Sequence, residues 1–201
     1  MNERLLFEQE NFPVIETERL ILIVPHEDAA PRMLAYVEEN REHLSRWEPT
    51  HDSNYFTEKY WREQLRASRE NFIAGRSLKL AILLRENITG PVVGSCNFTN
   101  IIRGVFQACY LGYSVDHRFE GRGFMYEGVR AALEYVFNEL KLHRVMANYI
   151  PTNERSGRLL RRLGFVVEGY ARDYLLIDGR WQDHIMTSLT NDKLKPKDVV
   201  I

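Results

Sequence analysis

The chain has 201 residues, 44% hydrophobic and 27% charged, with 27 Lys and Arg set against 28 Asp and Glu. That length suits one domain of the usual size, about 100–200 residues, with a core that needs no disulfide or metal. The composition excludes a disordered chain, and the near-zero net charge speaks against a general binder of nucleic acid or anionic membrane. The six His are scattered and neither Cys96 nor Cys109 has metal-ligand spacing, so no metal site is expected. Glu3, Glu8, Glu10 and Glu16 interrupt any secretory signal, and no apolar run reaches the roughly 18 residues of a membrane span. A reducing, cytoplasmic setting is the resulting expectation.

Residues 1–16 are polar and aperiodic and read as a loose arm. Arg19 to Val24 is a β-branched strand that Pro25 stops. Asp28 to Asn40 is predicted as a helix with Met33, Leu34 and Val37 on one face; Leu44 and Trp47 follow before Pro49 breaks the chain. Thr57 caps a second helix that runs to Ala74 and stops at Gly75. Leu78 to Leu84, Val92 to Asn100 and Ala108 to Val115 are three strands of an antiparallel meander, turned at Asn87 and Gly90–Pro91 and again at Arg103–Gly104.

The period then becomes helical from Phe124 to Leu140 and returns to strand character over Val145 to Ile150. A helix of that length between two strands fits a crossover connection. Asn153 caps a short helix with Leu159, Leu160 and Leu163 on one face and Gly164 at its end. Tyr170 to Ile177 and Trp181 to Leu189, joined by Asp178–Gly179, form a hairpin. The order β-α-α-β-β-β-α-β-α-β-β describes an α+β domain, a mixed α/β sheet with helices on both faces, over residues 17–190, with a tail at 191–201.

The junction at Gly112 to Met125 (GYSVDHRFEGRGFM) is the most informative stretch. Gly121 and Gly123 let the backbone approach a ligand and adopt unusual dihedrals. The free N–H groups of the helix that follows point at its positive end, where an anion is favoured. A P-loop is excluded because Phe124 follows Gly123, and a dinucleotide fingerprint because the third glycine and the later acidic residue are missing. On the residues alone, a phosphate cradle and a plain β-α turn with two glycines both remain open. Arg155, Arg158, Arg161 and Arg162 are likewise either a solvated helix face or a landing strip for a phosphate-bearing ligand or RNA.

Arg118-x-x-Gly121-x-Gly123 between a strand and a long helix resembles the acetyl-CoA pyrophosphate loop of the GNAT superfamily of N-acetyltransferases. Asn153-x-x-Ser156 and the run to Gly164–Phe165 resemble the second cofactor motif of that family, about 30 residues on, as the family spaces them. The resemblance covers residues 17–190 and implies the GNAT fold, a mixed and mostly antiparallel sheet. It implies acetyl-CoA as co-substrate, with no metal, held by Tyr113, Val115, Arg118, Phe119, Gly121, Arg122, Gly123, Phe124, Met125, Asn153 and Ser156. The runs at 103–114, 143–157 and 168–189, with Leu44-x-x-Trp47-x-Pro49, are similar to a narrower branch, the acetyltransferases of ribosomal-protein N-terminal alanine. That branch implies a protein N-terminus as acceptor, on a small-subunit ribosomal protein that is free or on the assembling subunit. Other amines, or a ribosome-assembly role with direct RNA contact, remain the alternatives.

The family reaction is direct attack of a neutral amine on the thioester. An α-amine, with a pKa of about 7.7–8.0 against about 10.4 for Lys, needs little help from a base. By resemblance, an N–H on the strand at 110–115 receives the developing negative charge where that strand splays from 145–150, and Ser156 is the candidate general acid for the thiolate. Ser156 reads equally as a helix first-turn serine that bonds backbone. Related N-terminal acetyltransferases use a Glu on the strand at 78–84, but Lys79 stands in that region here. Glu48, Asp173 and Asp183 are the replacement bases to weigh against plain surface or turn carboxylates. Cys109 fits a core thiol better than a nucleophile, and Trp47, Tyr174 and Trp181 line either a peptide slot or the core.

Overall fold

The structure, a computed structural model, describes residues 11–199. Its framework is an eight-stranded sheet in the order β1-β2-β3-β4-β5-β6-β8-β7. The strands are β1 Val14–Glu16, β2 Leu20–Ile23, β3 Leu78–Leu84, β4 Gly94–Ile102, β5 Ala108–Val115, β6 Arg144–Met146, β7 Val166–Ile177 and β8 Arg180–Thr190. Every neighbouring pair is antiparallel except β5 and β6, which run parallel. That exception requires a crossover, and helix α4, Phe124–Asn138, supplies it. The other helices are α1 Ala30–Glu39, α2 Arg41–Ser45, α3 Glu58–Ile73 and α5 Glu154–Arg162.

The alternation of β2 and β3 divides the core into two layers. Leu20, Leu22, Leu80 and Ile82 face the side covered by α4 and α5 and join Phe98, Val129 and Leu160. Ile21, Ile23, Ala81 and Leu83 face the opposite side and meet Met33 and Val37 of α1 and Leu65 of α3. Helix α4 lies close on the sheet at Gly128, where an added Cβ would stand 3.2 Å from Ile82 Cδ1. The two faces reach the middle of the sheet differently. Ser95, Asn97 and Ser114 point to the α1/α3 side, which leaves a polar floor there instead of packed apolar side chains.

Most predicted elements are present. The Thr57 hydroxyl accepts from the Tyr60 N–H at 3.2 Å, as a cap should. Asp178 and Gly179 take left-handed φ of 48° and 69°, the geometry of the expected hairpin turn. The loose-arm expectation fails over Val14–Glu16: these residues pair with β2 as an edge strand, and Phe12 packs on Phe72 with ring centroids 5.6 Å apart. Its cause is an apolar surface on α3 and β2 that a polar-looking segment supplies with Phe12 and Ile15. Residues 1–10 of that expectation lie outside the described residues. The α2 turn has no predicted counterpart, and the hairpin strand expected from Tyr170 begins at Val166. The strand expected over 145–150 pairs regularly only at Arg144–Met146, because beyond Met146 the chain follows β8 alone.

Candidate active site

That last difference makes the site. β5 and β6 share the three partners Ala108↔Arg144, Cys109↔Val145 and Tyr110↔Met146, and then part. Past Met146 the chain stays on β8, through Ala147 N–H to Thr187 O at 3.0 Å and the Tyr149↔Ile185 bridge. β5 continues to Val115 against β4 only. The Asp116 N–H bonds Val93 O at 2.9 Å, which fixes the phase of the β4–β5 ladder: even-numbered residues of β5 bond β4. The N–H groups of Tyr113 and Val115 therefore point into the gap between the parting strands.

Two features close on that gap. One is the start of α5. The Asn153 side chain accepts from the Ser156 N–H at 3.1 Å and caps the helix, which leaves the Ser156 hydroxyl free to turn inward. It lies 2.8 Å from the Tyr113 hydroxyl, so this pair spans the gap. Burial pushes the Tyr113 phenol up, and Ser156 pulls it back only in part, so Tyr113 stays protonated. Gly157 lets the helix sit against Tyr149, whose ring is 2.8 Å from where a Cβ would stand.

The other is the loop from β5 to α4. Asp116 has no exposed side-chain surface; it accepts from the Arg118 N–H at 2.8 Å and pairs with the Arg118 guanidinium. Burial alone would push the Asp116 carboxyl up, but the bonds from Arg118 and the Asn40 side chain hold it below its usual range. Asn40, fully buried at the end of α1, accepts from the His117 N–H at 2.9 Å. The loop is thus pinned at its entrance, and then Gly121 and Gly123 turn it with left-handed φ of 73° and 79°. No side chain caps α4 at Gly123. The first-turn acid, Glu127, is taken up by Thr17 and Arg19, at 2.6 and 2.7 Å, and so does not compete for the helix N-terminus. Glu120, the other nearby acid, is paired with Arg155 and lies 3.5 Å from His43. What remains is a bent row of main-chain N–H groups at the positive end of a 15-residue helix, a fit for a phosphate oxygen cluster.

The expected residues therefore divide. Tyr113, Val115, Gly121, Gly123, Phe124, Asn153 and Ser156 come together around the gap and the loop. Met125, in the first turn of α4, is buried in the core, against which Phe119 and Phe124 pack. The Arg118 guanidinium is committed to Asp116 and Glu39, and the exposed Arg122 lies 5.5 Å over Phe119. Of the α5 arginines, Arg155 and Arg158 are in ion pairs and Arg162 lies over Tyr126 at 4.5 Å. Cys109 is buried, its thiol pushed up to about 12, which supports a core thiol. Asp183 is engaged by the Tyr170 hydroxyl and by the Asp173 N–H at 2.9 Å. No cluster of three or more His, Cys, Asp or Glu occurs, and no helix is long and apolar enough to cross a membrane, among the described residues.

On the opposite face of β4 and β5 lies a cavity of about 220 Å³. Tyr36 of α1 reaches its floor, where its hydroxyl meets Ser114 Oγ at 2.8 Å and Ser114 meets Ser95 Oγ at 3.0 Å. Trp61 and Lys79 also line it, as does Glu48 from the loop after α2. The Glu48 carbonyl accepts from the Asp178 N–H at 3.1 Å, so the hairpin tip is anchored over this face. Trp181, 62% exposed, belongs to neither core nor cavity, whereas Tyr174 is half-buried and bonded by Asn148 at 3.3 Å. Sequence reasoning missed Tyr36, Ser95 and Ser114; no short motif marks them, since they meet only across the sheet.

Asp116→Asn is expected to cost about 2 kcal/mol of stability at neutral pH, the range for losing charged hydrogen bonds. The sign with pH follows from its lowered folded value. The contribution is present above the unfolded value, about 3.9, and is lost as pH falls through the folded one. Urea melts of both proteins at pH 7 and pH 3 check this; the gap between them should narrow in acid.

Comparison with known proteins agrees with this geometry. The family described as Acetyltransferase (GNAT) domain matches residues 19–166. The chain is 41% identical to the [ribosomal protein uS5]-alanine N-acetyltransferase of Escherichia coli K12, over 90% of this chain and 93% of that one. It is 32% identical to the probable N-acetyltransferase YjcK of Bacillus subtilis, over 81% and 88%. Among solved structures, a ribosomal-protein-S5-alanine acetyltransferase from Vibrio fischeri superposes with a TM-score of 0.87 at 35% identity, covering 92% of this chain and all of that one. Mycobacterium smegmatis RimJ in complex with CoA-disulfide gives 0.80 at 26%, covering 91% and 87%. With a match over most of its length, a parted β5–β6 pair and a glycine loop on α4, the chain belongs to the GNAT acetyltransferase family.

Proposed function

We propose that this protein is an acetyl-CoA-dependent N-terminal acetyltransferase of the cytoplasm whose acceptor is the N-terminal alanine of a small-subunit ribosomal protein. The parting of β5 from β6 carries the reading, because it opens N–H groups of a strand interior to a ligand. The 41% identity across 90% of the chain to an enzyme named for uS5-alanine acetylation supports the acceptor. The main chain at Phe119, Gly121, Arg122, Gly123 and Phe124 holds the pyrophosphate, with Arg118 setting the loop from its pair with Asp116 and Met125 anchoring the helix beneath it. Tyr113 and Val115 offer N–H groups to the thioester arm, and Asn153 and Ser156 flank it.

Acetyl-CoA supplies an activated acyl group, and this chain's residues orient it and manage charge. The N–H groups in the gap favour negative charge on the carbonyl oxygen as the amine attacks. The Ser156 hydroxyl, held by Tyr113, donates a proton to the departing sulfur. Thiol release measured with acetyl-CoA and peptides starting with Ala, Ser or Met, an N-blocked Lys peptide and spermidine tests the reading. Turnover on the Ala peptide and none on the blocked one is the expected result. Turnover confined to spermidine or Lys would sink the alanine acceptor while leaving the acetyltransferase in place.

A further inference from the structure

The cavity on the α1/α3 face holds one carboxylate. Among the described residues Glu48 is the single acidic residue lining it, and its side chain is 29% exposed. Its Oε2 lies 3.5 Å from His51 Nε2, and the His51 ring stacks on Tyr55 with centroids 3.6 Å apart. The titratable groups that share a cavity wall with Glu48 are Tyr36 from α1, Arg41 from α2, His51 and Tyr55 from its own loop, Tyr60 from α3, Lys79 from β3 and Asp178 from the hairpin tip. Of these, His51 alone makes an ion-pair contact with the carboxylate. The polar side chains Gln64, Lys79, Ser95, Asn97 and Ser114 also line the cavity, which suits a polar occupant. Ser114, on the floor of the cavity, is the chain neighbour of Tyr113 and Val115, whose N–H groups point into the gap between β5 and β6.

Resting on the acetyltransferase reading above, we infer that Glu48 is the catalytic base: it receives the acceptor's α-ammonium in this cavity, takes a proton from it and passes that proton to His51 and solvent. The N–H bond breaks with its electron pair left on nitrogen, and the proton moves to a Glu48 oxygen, then to His51 Nε2, then to water. The nitrogen pair forms the C–N bond as the C–S bond breaks. A second proton leaves the nitrogen, matching the one the thiolate gains. Burial pushes the Glu48 carboxyl up while His51 draws it down; the net rise brings it nearer the amine, as a base requires.

The test is kcat/KM for an Ala-starting peptide from pH 6 to 9.5 with the wild type, Glu48→Gln and Glu48→Asp. Without the base only neutral amine reacts, about 3% of an α-amine of pKa about 8 at pH 6.5. The Gln variant should therefore lose roughly 30-fold at pH 6.5 and come within about 3-fold of wild type at pH 9. The Asp variant should recover part of the acid limb. Because burial disfavours the charged form, the Gln variant should melt no lower than wild type above pH 7. A loss equal at every pH, or no loss, overturns the inference; if the Gln variant melts lower, the Asp variant's acid limb decides the same way. Absence of wild-type turnover on the Ala peptide removes the acceptor reading and this inference together, whereas an active wild type with pH-independent variants removes this inference alone.

Discussion

Gly123→Val is expected to weaken coenzyme A binding by about 30-fold. The residue sits at φ 79°, where a side chain costs about 1–2 kcal/mol and a β-branched one the upper end. The free protein relieves that strain by leaving the left-handed region, and binding must then restore it. The same movement turns the Gly123 and Phe124 N–H groups away from the phosphate, and a charged hydrogen bond contributes about 1.5–3 kcal/mol. Binding must either restore the strained conformation or forgo those bonds, so about 2 kcal/mol opposes it, and every 1.4 kcal/mol is roughly tenfold. Gly75→Val is the control: Gly75 ends α3 at φ 67° with open space around it, away from the loop. It should lower the melting temperature and leave affinity unchanged. Calorimetric titration of coenzyme A into both variants decides the matter; full affinity in Gly123→Val would remove the pyrophosphate from this loop.

Ser156→Ala should lower kcat by about 100-fold or more, the range for loss of a positioned general acid, with little change in KM for the Ala peptide. Helix α5 should remain intact, because Asn153 caps it through the Ser156 main-chain N–H, which alanine keeps. Tyr113→Phe removes the group 2.8 Å from the Ser156 hydroxyl and should give a smaller fall of about 10-fold, since orientation is lost and the donor kept. An acetyl aryl thioester provides the sharper reading. Its thiolate leaves without a proton, so the Ser156→Ala deficit should shrink towards unity. A deficit of the same size on both donors, or one carried by KM, would return Ser156 to a helix-start serine.

Periodicity and turn chemistry made much of this legible in one dimension. Thr57 and Asn153 announce helix starts, Asp178–Gly179 a tight hairpin, and the 3.6-residue period from Phe124 a crossover helix, because each is a local property of a few consecutive residues. Gly121 and Gly123 belong with them, since a left-handed φ is a demand that two residues meet alone. By itself the sequence thus determined most of the elements, their order and a glycine turn ahead of the crossover helix. It did not determine the edge strand at Val14–Glu16, which is stable only against β2, nor the early end of β6, which depends on β8 competing with β5 for the same main-chain groups. Nor did it separate Glu48 from Asp173 and Asp183 as carboxylates. Asp183 is spent on Tyr170 and Asp173, while Glu48 lines a cavity whose other walls come from α1, α3, β3, β4 and β5. Burial and partners are sums over residues far apart in the chain, so only the folded sheet could assign them.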